Sequence, residues 1–209
     1  MNLMTQQVKA LVDWSVATRP LPGQVVSGDI HLVKEFNGNV LVAVIDGVGH
    51  GAAARFAAQL AAETLERYSE EPVIRLMELC HEALTLTRGA AITLATIHAA
   101  ENKLHWLSVG NVEARLVRSG PTAEPPSEGV VMRQGLVGCR LPTLLSTEID
   151  LEVGDVLVLV TDGIEPDFVG SVTPRQKPKQ IVERVMREHF KGTDDALVLA
   201  VRYLGGDYE

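Results

Sequence analysis

Near the start of the chain Val12, Trp14 and Val16 alternate with Asp13, Ser15 and Ala17, a period of two that predicts a strand. It stops before Arg19-Pro20-Leu21-Pro22-Gly23, where two prolines stiffen the connection. Ile30, Leu32 and Val33 lead into the turn sequence Asn37-Gly38-Asn39, after which Val40 to Ile45 runs apolar on both faces until Asp46. This pattern predicts a hairpin whose second strand is central. Residues 52–68 are rich in Ala, Leu, Gln and Glu, without Gly or Pro, and predict a helix facing inward through Phe56, Leu60, Leu65 and the alanines between. A second helix is predicted from near Pro72, with Ile74, Met77, Cys80 and Leu84 at helical spacing before Gly89.

Strands are then expected over Ala91 to Ala99, Leu104 to Val109, Ala114 to Val117, Val130 to Arg133 and Leu144 to Leu151, with residues 120–129 as a proline-rich surface loop. Val156 to Val160 reads as another fully buried strand, stopped by Thr161-Asp162-Gly163. Gln180 to Phe190 predicts a third helix, and Ala196 to Val201 a closing strand. This order is α+β rather than alternating βαβ. So many strands apolar on both sides fit a sandwich of two antiparallel sheets flanked by helices. With no internal repeat and no shift in composition, residues 1–209 read as a single domain.

At 209 residues and 46% hydrophobic, the chain is long enough to build a core without a structural metal or disulfide, so a metal here would be functional. A net charge of −8 argues against nucleic acid and anionic membrane as partners. Cys80 and Cys139 make no ligand or disulfide pattern and are expected as buried, reduced thiols. The first residues lack a basic stretch followed by an apolar one, and no segment is long and apolar enough to span a bilayer. A soluble, cytoplasmic monomer is the expectation.

Two readings attach to Asp46-Gly47-Val48-Gly49-His50-Gly51, which joins a buried strand to a helix. Gly47 to Ala52 matches the dinucleotide pattern G-x-G-x-x-G/A, but the acid that pattern needs at the end of a second strand, about 20 residues on, falls on Glu66 inside a helix. The second reading counts acids at strand boundaries: Asp29, Asp46, Asp162 and the pair Asp194-Asp195. One such aspartate is an ordinary turn former. Four positions in the same context would repel at one edge of a sheet pair unless cations lay between them, and hard divalent ions prefer such oxygen ligands. A hydrolytic site holding two metal ions meets that condition.

Ser27-Gly28-Asp29, Asp46-Gly47-Val48-Gly49-His50-Gly51, residues 89–95, Ser108-Val109-Gly110-Asn111, Thr161-Asp162-Gly163-Ile164 and Asp194-Asp195-Ala196 occur in an order that resembles the PPM (PP2C-type) metal-dependent serine/threonine phosphatases, in their bacterial SpoIIE-like branch. The resemblance covers nearly the whole chain and implies an αββα sandwich. It further implies two Mn²⁺ or Mg²⁺ ions, with Asp46 bridging them and the Gly47 carbonyl on one. Asp162 and Asp194 would hold the second ion, Asp29 would act on the first directly or through water, and Asp195 would be a supporting residue. The implied chemistry is in-line attack of metal-activated water on phosphoserine or phosphothreonine without a phosphoenzyme. A bare catalytic domain of this kind is most similar to a stressosome feedback phosphatase, whose substrate would be a STAS-domain regulator. A non-catalytic phosphoprotein-binding module of the same fold is the alternative.

His50 suits a general acid for the leaving oxygen, or else a hydrogen-bonded histidine at a helix start. Two features depart from the family pattern: Leu197 stands where many members carry Thr, and no arginine lies just upstream of Asp29, Arg19 reaching the site only if its loop folds back. Arg175, Lys177, Lys179, Arg184, Arg187 and Lys191 form a basic run readable as a solvated helix face or as a steering surface for a phosphoprotein. Trp14 and Trp106 are expected in the core, and His31, His81, His98, His105 and His189 as structural or surface residues.

Overall fold

A computed structural model describes residues 10–120 and 123–206. Its strands are β1 (Val12–Arg19), β2 (Asp29–Phe36), β3 (Asn39–Gly47), β4 (Ala90–His98), β5 (Lys103–Val109), β6 (Glu113–Val117), β7 (Ser127–Gly129), β8 (Met132–Arg133), β9 (Thr147–Asp150), β10 (Val156–Val160) and β11 (Ala196–Tyr203). Helices α1 (Ala52–Arg67) and α2 (Val73–Leu84) lie between β3 and β4, and α3 (Pro178–His189) precedes β11. One sheet runs β1-β11-β10-β6-β7 and the other β2-β3-β4-β5-β8, with β9 also paired to β5. All pairings are antiparallel except the short β5·β8 contact.

Period-two alternation in the two-sided strands produces the layers. Val40, Val42 and Val44 of β3 meet Leu197, Leu199 and Val201 of β11 between the sheets, around the buried Trp106. On the other face of β3, Leu41, Ala43 and Ile45 pack under α1 and α2. Ala196, Val198 and Ala200 do the same under α3. These are the four layers, helix, sheet, sheet, helix, that the resemblance implies. The β2–β3 hairpin turns through Asn37 and Gly38, both at positive φ (45° and 76°).

Several expectations are corrected. Trp14 is 43% exposed, because β1 and β2 are the edge strands of their sheets and its ring lies over the open edge, 5.6 Å from that of His31. Phe56 is 62% exposed, since α1 packs through Ala54, Ala57, Ala58, Ala61 and Leu65, a stripe of mostly small residues from which Phe56 points away. Cys139 is exposed rather than buried, sitting in a tight turn where its N–H and that of Arg140 both bond the Leu136 carbonyl. The strands expected over 130–133 and 144–151 shrink to β8 and β9, and the loop 120–129 ends in strand β7. Pro121 and Thr122 of that loop, and the N-terminal stretch read for a leader, lie outside the described residues. Among the described residues no helix is long and apolar enough to cross a membrane.

Candidate metal centre

The antiparallel register of β2 and β3 places Asp29 opposite Asp46, so the first residue of one strand and the penultimate residue of the next share one end of their sheet. The other sheet contributes to the same end. β10 stops at Val160, two residues before Asp162, and β11 begins at Ala196, just after Asp194 and Asp195. Hydrogen bonds from the Gly28 N–H to Asp195 and from Thr161 to Asp29 link the two sheets at this end, and two close approaches pack the strand ends tightly, one against α1 and one against the start of β11. A Cβ on Gly47 would lie 2.1 Å from the Ala54 carbonyl oxygen, and one on Gly163 would lie 2.1 Å from the Asp195 carbonyl oxygen. Both positions accept only glycine without backbone movement, and each seats a strand end against its neighbour.

Asp46, Asp162 and Asp194 line one cavity of about 520 Å³, together with Val48, Gly49, Ala91, Gly110, Asn111, Gln134, Gly135 and Leu136. Asp29 is buried beside it and accepts a hydrogen bond from the Thr161 hydroxyl at 2.8 Å. Thr161 Oγ1 in turn accepts the Leu197 N–H at 2.8 Å, so the residue at the departing position 197 joins the site through its backbone while its side chain fills the core. Asn111 Nδ2 donates to Asp162 Oδ2 at 2.7 Å and fixes that carboxylate from one side.

The adjacent acids separate by their partners. Asp195 is 3% exposed, and its two oxygens accept the backbone N–H groups of Leu21 at 2.6 Å and Gly28 at 2.7 Å, which folds the connector 20–28 back over the strand ends. Asp194 lines the cavity, its Oδ1 taking, among the described residues, only the N–H of Asp195. The folded connector does not carry Arg19 to the carboxylates: its guanidinium lies over the Phe190 ring, 5.3 Å from the centroid. His50 is exposed, outside the cavity lining, and without a hydrogen bond or ion pair among the described residues. Glu66 sits in α1, which is followed by α2 and not by a parallel strand, so the βαβ frame of a dinucleotide site is missing.

Burial, then the neighbouring carboxylates, push Asp46 up to about 8. Burial likewise raises Asp29, to about 7, against the hydrogen bond from Thr161 and with the help of Asp195, Asp162 and Asp194. Asp162 is raised by burial and by Asp194, an effect opposed by Lys191 and Asn111. Asp46 has no hydrogen-bonding or ionic partner for its side chain among the described residues. Such a cluster favours a cation that offsets its mutual repulsion, and its donors are all hard oxygens. Among the described residues no three His, Cys, Asp or Glu side chains stand close enough to hold an ion as placed; the fit to divalent ions rests on donor type and on the placement of Asp46, Asp162 and Asp194 on one cavity. The acids are legible in the sequence; Thr161, which supports Asp29, appears there only within the Thr161-Asp162-Gly163-Ile164 motif, and Gln134 and Leu136, which line the cavity, carry no distinctive local pattern. Asn111 was legible only as part of a motif.

The chain is 26% identical over 160 residues to the phosphoserine phosphatase RsbX of Bacillus subtilis (strain 168), an alignment spanning 76% of this chain and 78% of the relative. A solved structure of RsbX in complex with magnesium superposes with a TM-score of 0.81 at 22% identity, covering 92% of this chain and 95% of the other. A chain from structural work on the bacterial stressosome matches with a TM-score of 0.83 at 25% identity, over 91% of this chain and 99% of its own. The fold is therefore the PP2C-type sandwich. The family model for stage II sporulation protein E (SpoIIE) matches residues 37–204, a range that includes Asp46, Asp162 and Asp194, and the chain belongs to that family.

Proposed function

We propose that this protein is a Mn²⁺- or Mg²⁺-dependent phosphatase that hydrolyses phosphoserine or phosphothreonine on a cytoplasmic regulatory protein, a STAS-domain component of a stressosome. The observation that carries the reading is the convergence of Asp46, Asp162 and Asp194, from both sheets, on one cavity with Asp29 buried behind them. Kinship with a phosphoserine phosphatase supports the reaction class, and likeness to a stressosome structure supports the choice of substrate.

Asp46 would be shared between two ions, with the Gly47 carbonyl and Asp29 toward the first and Asp162 and Asp194 toward the second. When bound, these ions supply the Lewis acidity that offsets charge on the phosphoryl oxygens and activates water for in-line displacement. The remaining work belongs to the chain. Thr161 holds the carboxyl of Asp29, Asn111 directs that of Asp162, and Asp195 braces the connector instead of facing the cavity. In the role of proton donor to the departing serine or threonine oxygen, His50 predicts a loss of roughly 10²- to 10⁴-fold on His50→Ala; an unchanged rate assigns it to the helix start.

The test is phosphate release from an aryl phosphate with freshly purified protein and millimolar Mn²⁺. Turnover that disappears in Asp46→Asn and Asp162→Asn supports the reading. Retention of a phosphoprotein without turnover favours a binding module. For the substrate, kcat/KM on phosphorylated stressosome scaffold proteins is compared with that on the phosphorylated anti-anti-sigma factor, and a preference for the latter, or for neither, overturns the stressosome assignment.

A further inference from the structure

The basic run around α3 divides once its partners are known. Lys179 pairs with Glu183 at 3.9 Å, and Arg184 and Arg187 share Glu188 at 3.0 and 2.9 Å, so much of the helix charge is met within the helix. Lys191 is different. It lies two residues beyond α3, is exposed, and has no ion pair among the described residues. Its Nζ donates to the carbonyl oxygen of Asp162 at 2.7 Å, and its backbone N–H bonds the Gly163 carbonyl at 2.9 Å. The Asp162 carboxylate is held by Asn111, so the ammonium sits at the edge of the centre with further N–H donors unspent. Arg19, whose guanidinium lies over the ring of Phe190, the residue before Lys191 in sequence, is also without an ion pair among the described residues.

Such placement has a chemical consequence. The cavity is lined by three aspartates and would repel a phosphorylated segment. Bound divalent ions offset that charge, and the ammonium of Lys191 is then free of any carboxylate it must neutralise. Resting on the phosphatase reading, we infer that Lys191 is a substrate-positioning residue whose ammonium takes an anionic oxygen of the phosphorylated segment. This role replaces the clamp that an arginine just upstream of Asp29 would have supplied, and it uses a point charge in place of a bidentate fork. The anion is either a phosphoryl oxygen or a carboxylate beside the phosphoresidue, and both present the same chemistry to Nζ.

Three substrates separate these sources: an aryl phosphate, a phosphoserine peptide flanked by Glu, and the same peptide flanked by Ala, each assayed with Mn²⁺. A wild-type protein silent on all three overturns the phosphatase reading and this inference with it. In an active protein, Lys191→Met is expected to raise KM about tenfold, the weight of one charge-assisted hydrogen bond at an exposed site, with the loss confined to KM. Lys191→Arg should restore most of the affinity, and the difference between Met and Lys should shrink as salt rises. A rise on all three substrates assigns the contact to the phosphoryl group, and a rise confined to the Glu-flanked peptide assigns it to the neighbouring carboxylate. Mn²⁺ affinity, measured by calorimetry on the same variants, identifies the competing role. If KM is unchanged on every substrate, or if the defect lies in Mn²⁺ affinity while KM holds, Lys191 merely braces the turn at Asp162 and the inference fails.

Discussion

Mn²⁺ affinity should climb steeply with pH and then level off, because the ion has to displace protons held by the site itself. Burial, reinforced by neighbouring carboxylates, raises Asp29 to about 7 and Asp46 to about 8, and the two face each other across the β2·β3 register. Below about pH 7 both carboxyls are protonated and ion binding expels up to two protons, so apparent affinity should gain up to about a hundredfold per pH unit. Between about pH 7 and 8 one proton remains to be displaced and the gain falls to about tenfold; above that the curve flattens. The two steps belong to the pair and not to either residue. Titration calorimetry from about pH 6 to 9, in two buffers of different ionisation enthalpy, counts the protons directly, and Asp46→Asn should remove about one of them. An affinity flat between pH 6 and 8, with no proton release in either buffer, would refute the reasoning.

The same raised carboxyls set the pH dependence of stability without metal. Each is neutral in the folded chain and ionised in the unfolded one from about pH 4 to its folded value, so its stabilisation is present at low pH and is lost as pH rises toward about 7 or 8. In chelator-treated protein each group should cost about 1.4 kcal/mol per pH unit in that window, roughly 3–6 °C in Tm, and Asp46→Asn should flatten the slope measured by calorimetry. Asp195→Ala strands the N–H groups of Leu21 and Gly28 and should lower unfolding free energy in urea by about 2–4 kcal/mol, with faster exchange of those two amides; unchanged stability would deny Asp195 its bracing role. Gly47→Ala puts a Cβ 2.1 Å from the Ala54 carbonyl and should cost on the order of 3 kcal/mol or more along with the activity, whereas a wild-type melting curve would show that α1 can retreat from the strand end.

Local pattern was sufficient wherever one short stretch contained the whole signal. The all-apolar runs of β3, β10 and β11 have burial on both faces written into consecutive residues, and from those runs the four-layer sandwich follows. The strand-end acids were legible for the same reason: each lies beside a run whose end is visible, and their order carries the family resemblance. Sequence alone could not apportion residues that depend on distant neighbours. Asp194 and Asp195 are adjacent and chemically identical, and only the return of the 20–28 connector gives one of them two backbone donors and leaves the other facing the cavity. Trp14 keeps its strand period yet lies exposed, because being at an edge is a property of sheet order and not of the strand. Lys191 belonged to a basic run until the end of α3 placed its Nζ on the carbonyl of Asp162, 29 residues away in sequence. Burial patterns repeat locally and can be read locally; a charge acquires its role from the groups that tertiary structure sets beside it.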